Sequence, residues 1–207
     1  MSGKNMQNFN VGAGATFQPI LRWGTSVLSS KPVSAISQAA PSVVTATAHG
    51  IPDGWQVAVV SAKGMTQINA VNYPPRGADW HRATVLTPDT VQLNTVNSAD
   101  YAAYTSGGFL VYATPASLAG ATGVLTIRDA PLTGTVLAAL TSSPAAGLTL
   151  NDTTKQILPV LATAGLTWTV GYYDLVITGA GGVITQLLTG TITIGYGDNV
   201  TEAWLTA

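Results

Sequence analysis

The sequence predicts an all-β fold, and three observations lead to that expectation. Apolar and polar residues alternate over short runs, and a period of two places each set on one face of a pleated strand. Clusters of Gly, Pro, Asn and Asp punctuate these runs at the roughly 8–12-residue spacing of strands joined by tight turns. No stretch of helical length shows an amphipathic pattern.

The clearest element is Gly171 to Ile194. Tyr173, Leu175 and Ile177 share one face before a glycine-rich break, and Leu188, Ile192 and Ile194 share one after it. Gly179 to Gly182 then forms a four-residue connection between two antiparallel strands. A lone hairpin is marginal in water, so its apolar face requires a second sheet. Phe9 to Trp23 is expected to supply part of it, with Pro19 marking an edge or bulge.

Met1 to Asn8 lacks periodicity and is expected to be a flexible arm, with residues 9–33 the first strand-bearing piece. Gly24 to Lys31 has turn composition, and Pro32-Val33 starts a new extended piece. Residues 34–114 hold five or six short strands, at Val43 to Thr47, Trp55 to Val60, Arg82 to Leu86, Thr90 to Leu93 and Phe109 to Tyr112 among others. That density suggests a small β-barrel or sandwich. Strand character returns over residues 115–197 with Val124 to Ile127, Val136 to Leu140, Leu148 to Leu150 and Ile157 to Leu161. Residues 198–207 form a short tail, expected to be mobile unless docked.

The chain has 207 residues, 46% of them hydrophobic, enough for a substantial core. Only 8% are charged, against about 25% in ordinary domains, and the net charge is -1. A freely circulating monomer depends on charge for colloidal stability. The composition therefore suggests a surface covered by partners; a stable β-protein with a neutral, Thr-rich exterior would show the same numbers.

The eight Lys and Arg residues are scattered singly, which argues against nucleic-acid binding. The absence of cysteine excludes disulfides, thiolate metal sites and a cysteine nucleophile. Met1 to Asn10 has no apolar leader core and no run is long enough to span a bilayer, so no membrane partner is expected and synthesis is expected in the cytoplasm.

His49, beside Gly50 and Asp53, fits a turn-stabilising hydrogen bond better than metal ligation. His81 follows Asp79 and Trp80 and could join a polar cluster. The eight Asp residues lie mostly in turns, where their side chains can bond local backbone, and Glu202 is the sole glutamate. No nucleophile elbow or phosphate loop occurs, so neither an enzyme nor a cofactor is expected. The interface candidates are Tyr73, Pro74, Pro75, Arg76 and Trp80 in one loop, and Trp204 in the tail. Trp, Tyr and Arg are the types that anchor protein interfaces, and proline lowers the ordering cost. Tyr73 and Trp80 packing back on their own module is the alternative.

Two parts of the chain resemble phage families. Gly14-Ala15-Thr16-Phe17 with Arg22-Trp23, Leu118-Ala119-Gly120-Ala121-Thr122 with Ile127-Arg128, and Tyr173-Asp174-Leu175 through Leu187-Leu188-Thr189-Gly190 resemble the immunoglobulin-like domain at the N-terminus of phage baseplate upper proteins. Residues 34–114 resemble a β-module named after the first catalytic cysteine half-domain of ubiquitin-activating enzymes and common in phage structural proteins. They do so at Ala48-His49-Gly50, Gly54, Gly64-Met65, Ile68-Asn69, Asp100-Tyr101, Tyr104 and Ser106-Gly107-Gly108. Ala70, where that module carries Gly, and the long Asn72 to Trp80 loop depart from its pattern.

The resemblance implies a discontinuous immunoglobulin-like β-sandwich, residues 9–33 and 115–197, interrupted by the inserted module. It implies a non-enzymatic part of a tailed-phage virion, at the tail, baseplate or fibre-attachment region, with other virion proteins and copies of itself as partners. A capsid decoration or head-fibre protein is the near alternative. A carbohydrate-binding module using Trp80, Tyr73 or Tyr101 on host glycans is the alternative from another class.

Overall fold

The computed structural model of the chain describes residues 5–195 and 202–206. The chain is all-β: among the described residues, every regular element besides two single-turn 3-10 helices, Thr66–Ile68 and Gly77–Asp79, is a strand. In chain order these are β1 (Phe9–Gly12), β2 (Thr16–Phe17), β3 (Ile20–Pro32), β4 (Ala35–Ile36), β5 (Ser42–Thr45), β6 (Gln56–Val60), β7 (His81–Thr87), β8 (Thr90–Leu93) and β9 (Phe109–Pro115). Then follow β10 (Thr122–Arg128), β11 (Val136–Ser142), β12 (Ala145–Ala146), β13 (Leu148–Asn151), β14 (Gln156–Pro159), β15 (Leu161–Ala162), β16 (Val170–Thr178), β17 (Ile184–Gly195) and β18 (Glu202–Thr206). No helix among the described residues is long and apolar enough to cross a membrane.

Two compact units divide the chain: Met1–Thr25 with Pro115–Ala207, and Ser26–Thr114. The first junction precedes the expected joint after Val33. The stretch expected to turn, Gly24 to Lys31, instead lies inside β3, which runs unbroken to Pro32. Its Ser and Thr residues are as compatible with a two-sided polar strand as with a turn.

The first unit is a β-sandwich. One sheet has the order β1-β17-β16-β10-β11-β12 and the other is built from β13, β14 and the start of β3, with β18 added parallel to β3. A single cluster fills the space between them, drawing Leu125, Ile127, Leu175 and Ile177 from the first sheet and Leu21, Leu148, Ile157 and Leu205 from the second. Phe9 packs edge-on to Phe17, with ring centroids 5.2 Å apart.

The hairpin of β16 and β17 forms as expected, with Tyr173, Leu175 and Ile177 buried on one face. Its loop is one residue longer than expected. Thr178 and Ile184 are the last paired residues, and Gly179 N–H bonds the Val183 carbonyl at 2.9 Å. A bulge opposite Leu175 and Val176 inserts Leu187, which is why Leu187 and Leu188 are both buried. Phe9 to Trp23 divides its contribution: β3 supplies the facing sheet, whereas β1 joins the hairpin's own sheet, parallel to β17.

The described part of the arm departs from the expected flexibility, and the tail meets the condition of docking under which it was not expected to be mobile. Residues 1–4 of the arm lie outside the described residues, but Met6 pairs parallel with Thr189 and Gln7 N–H bonds the Thr189 carbonyl at 2.9 Å. In the tail, residues 196–201 and Ala207 lie outside the described residues, while Glu202–Thr206 is a strand on β3. A segment of five residues with alternating Ala203 and Leu205 is too short for its period to stand out in sequence.

In the second unit, the remainder of β3, then β9, β6, β7, β8, β5 and β4 form successive neighbours of a curled sheet. Trp55, Val57, Met65, Leu93 and Leu110 are fully buried in it, and the Trp55 indole N–H bonds the Ala113 carbonyl at 2.9 Å. His49 is buried as the expected turn clamp. Its Nδ1 accepts from Ile51 N–H at 3.0 Å, which leaves the proton on Nε2 to donate to the Thr87 carbonyl at 3.0 Å.

Candidate interaction surfaces

The loop from Asn69 to His81 is organised by one carboxylate. Asp79 Oδ1 accepts from Val71 N–H at 2.8 Å, and Oδ2 accepts from Arg76 N–H at 2.9 Å, Asn72 Nδ2 at 2.9 Å and Asn72 N–H at 3.2 Å. Four donors on two oxygens draw residues 71–76 into an arch around a buried side chain. Asn69 secures the base: its side chain accepts from Ala62 N–H at 2.8 Å and donates to the Ala62 carbonyl at 3.0 Å. Ala70 N–H bonds the Val59 carbonyl at 2.7 Å, so the position where the resembled module carries Gly is held in extended pairing.

Those donors hold the Asp79 carboxyl well below the ordinary 3.8, at about 2, with the Arg76 backbone N–H and the Asn72 side chain the largest contributors. Burial lowers the His81 imidazole, and the neighbouring Asp79 charge opposes that shift. Because the folded carboxyl titrates below the unfolded one, its contribution is complete above about pH 4 and is lost as pH falls through about 2. Amide exchange at Val71, Asn72 and Arg76 is therefore expected to accelerate across that window before the strands unfold. Asp79→Asn, which puts an NH2 against N–H donors, should reproduce the acceleration at pH 7 by roughly tenfold or more. Unchanged exchange in the variant would show that the arch stands without the carboxylate.

The arch places the candidates unequally. Tyr73 is 74% exposed, with exposed Val71, Pro74 and Arg76 around it, whereas Pro75 is buried and Trp80 is half-buried at the end of the Gly77–Asp79 turn. Tyr101 lines a 240 Å³ hollow at the base of the arch together with Val71, Asp79, His81 and Thr95, and Tyr73 is not part of its lining. His81 Nδ1 is 3.0 Å from Thr95 Oγ1, which places it in a polar cluster. Trp204 belongs to the first unit and not to a free tail. It lies on β18, half-buried, with the Arg22 guanidinium carbon 5.5 Å from its ring centroid, and so belongs to the sandwich.

Several aspartates also act differently from the local turn role expected. Asp53 accepts from Val85 N–H at 2.9 Å, Asp89 from Ala48 N–H at 2.7 Å and Asp152 from Leu118 N–H at 2.7 Å. Each staples segments far apart in sequence, whereas Asp129, bonded to Thr135 N–H at 2.7 Å, serves its own turn, and Asp152 does both, since it also pairs with Lys155. Among the described residues no group of three or more His, Asp or Glu side chains is placed to hold a metal.

No family model matches this chain, and no curated protein is similar to it. The role of Asp79 is the feature the sequence concealed. Its only signal was an acid at the close of a long loop rich in Pro and Gly, which equally fits a solvated residue.

Proposed function

We propose that this chain is a non-enzymatic structural protein of a tailed-phage virion that mediates assembly at the tail, baseplate or fibre-attachment region. The observation behind this is the Asp79 arch, which presents an exposed tyrosine on a loop already held by three backbone hydrogen bonds and one from the Asn72 side chain. A preordered aromatic loop binds without the entropy cost of ordering, the property that an assembly contact needs. The low charge of the chain supports the same role, since neutral surfaces favour association. So does the resemblance of the first unit to the immunoglobulin-like domain of baseplate upper proteins, and of the second to a module of phage structural proteins. Copies arranged in cyclic symmetry would present the arch repeatedly around a ring.

Gold-labelled antibody on intact virions tests this. Label at the tail tip or collar is the expected result; label over the head would instead make the chain a decoration or head-fibre protein, and unlabelled particles would overturn the structural role. Tyr73→Ala should lower incorporation with a loss of about 2 kcal/mol, roughly 30-fold in affinity, without unfolding the chain.

A further inference from the structure

We infer that the first unit carries a binding groove for a neutral saccharide on the outer face of its six-stranded sheet. The groove encloses about 650 Å³, within the roughly 300–1,000 Å³ typical of small-ligand sites. Strand register creates its floor. Tyr173, Leu175 and Ile127 turn inward to the core, so alternation turns Tyr172, Asp174 and Arg128 outward. Tyr172 stands opposite Arg128 on one side and Thr191 on the other, and Asp174 stands opposite Thr189.

The walls are built features. On one side the arm supplies Met6 and Asn8, with Asn8 Oδ1 accepting from Thr191 N–H at 3.0 Å. On the other, the turn after β10 supplies Pro131 and Leu132. That turn is tied three ways: Arg128 Nη1 donates to the Gly134 carbonyl at 3.0 Å, Thr135 N–H to Asp129 Oδ1 at 2.7 Å, and Asp129 N–H to the Thr135 carbonyl at 3.1 Å. A Cβ on Gly134 would stand 2.3 Å from Asp129 Oδ1, so the turn closes as tightly as it does only with glycine there. Leu132 sits at a φ of 65° and is 88% exposed as a residue, a strained display of an apolar group at the rim.

The chemistry of the lining selects the ligand. Among the described residues the Asp174 carboxylate, the Gln186 carboxamide and the Tyr172 hydroxyl have no side-chain hydrogen bond or ion pair, although all three line the groove. An anionic ligand would meet the Asp174 carboxylate, and a cationic one would meet the Arg128 guanidinium. A neutral polyhydroxylated ring suits both, because its vicinal hydroxyls donate to the carboxylate and accept from the guanidinium and carboxamide. Its apolar face packs on the Tyr172 ring. This surface is distinct from Tyr73, Trp80 and Tyr101, and it is independent of the assembly role.

The test is titration of the isotope-labelled full chain with methyl α-glucopyranoside, methyl β-galactopyranoside and methyl N-acetyl-β-glucosaminide, with sialic acid as charged control, followed by amide chemical shifts. At least one neutral glycoside should shift the amides of Tyr172, Asp174, Gln186 and Thr189, with a millimolar Kd of order 1 mM. Tyr172→Ala and Asp174→Ala, whose unchanged spectra elsewhere would show intact folds, should each weaken it by about tenfold. No shift up to about 50 mM, shifts that survive both variants, binding of sialic acid alone, or shifts centred on another surface would each overturn the proposal.

Discussion

Replacing Leu205 with alanine is expected to destabilise the first unit by about 2–5 kcal/mol, although the residue lies two positions from the end of the chain. Leu205 is 2% exposed and sits in the same cluster as Leu21 and Ile157. Its strand runs parallel to β3 with Glu202 against Ile20 and Thr206 against Gly24. Truncation before Glu202 should cost more, because it removes Ala203 as well and bares the edge of β3, leaving unpaired backbone that invites association. Urea unfolding followed by tryptophan fluorescence would report the loss as a lower midpoint, and light scattering would report the association. Val183→Ala, at a largely exposed loop position, is the control and should stay within about 0.5 kcal/mol of wild type. A wild-type midpoint for Leu205→Ala would mean that β18 does not dock.

This expectation runs opposite to the one the tail composition suggests, and the contrast shows where sequence is informative. Tyr173, Leu175 and Ile177 could be read because burial on one face imposes a period of two over a long strand, and nothing but that pairing satisfies it. The two-unit arrangement showed in the density of short strands over residues 34–114 and in the return of the first piece's character at Pro115, where the chain does return to the first unit. The other junction did not, because Gly24 to Lys31 is made of residues that suit a turn and a polar strand equally, and only pairing decides between them. The same ambiguity hid β18 and the docked arm, whose partners lie more than 180 residues away in the chain. Of the candidate site, Tyr73 and its prolines were legible as residue types. The role of Asp79 was not, since four donors converging on one carboxylate is a fact of three dimensions.

Gly190→Ala should produce a comparable loss, about 3–5 kcal/mol, by expelling the arm. The arm runs alongside β17 so closely that a Cβ at Gly190 would stand 1.9 Å from the Gln7 carbonyl oxygen, and backbone cannot yield as a side-chain tip can. Moving it breaks the Gln7 and Thr189 backbone bonds and the Asn8 side-chain bond to Thr191. It also strips the buried Tyr173 hydroxyl of its acceptor, since that hydroxyl donates to the Gln7 carbonyl at 2.7 Å. Burial already pushes the Tyr173 phenol above its ordinary pKa, so it cannot compensate by ionising near neutral pH. Gly181→Ala, in open space within the hairpin loop, is the matched control and should be neutral to within about 0.5 kcal/mol. Hydrogen exchange would locate the effect: protection should fall at Gln7, Thr189 and Thr191, while β6 and β9, which belong to the other unit, keep theirs. Because Met6 and Asn8 form one wall of the sheet-face groove, the same variant should also abolish glycoside-induced shifts at Tyr172. Loss of ligand response together with local deprotection would tie the groove to the arm; a fully protected arm in Gly190→Ala would show that the pairing is looser than a 1.9 Å approach allows.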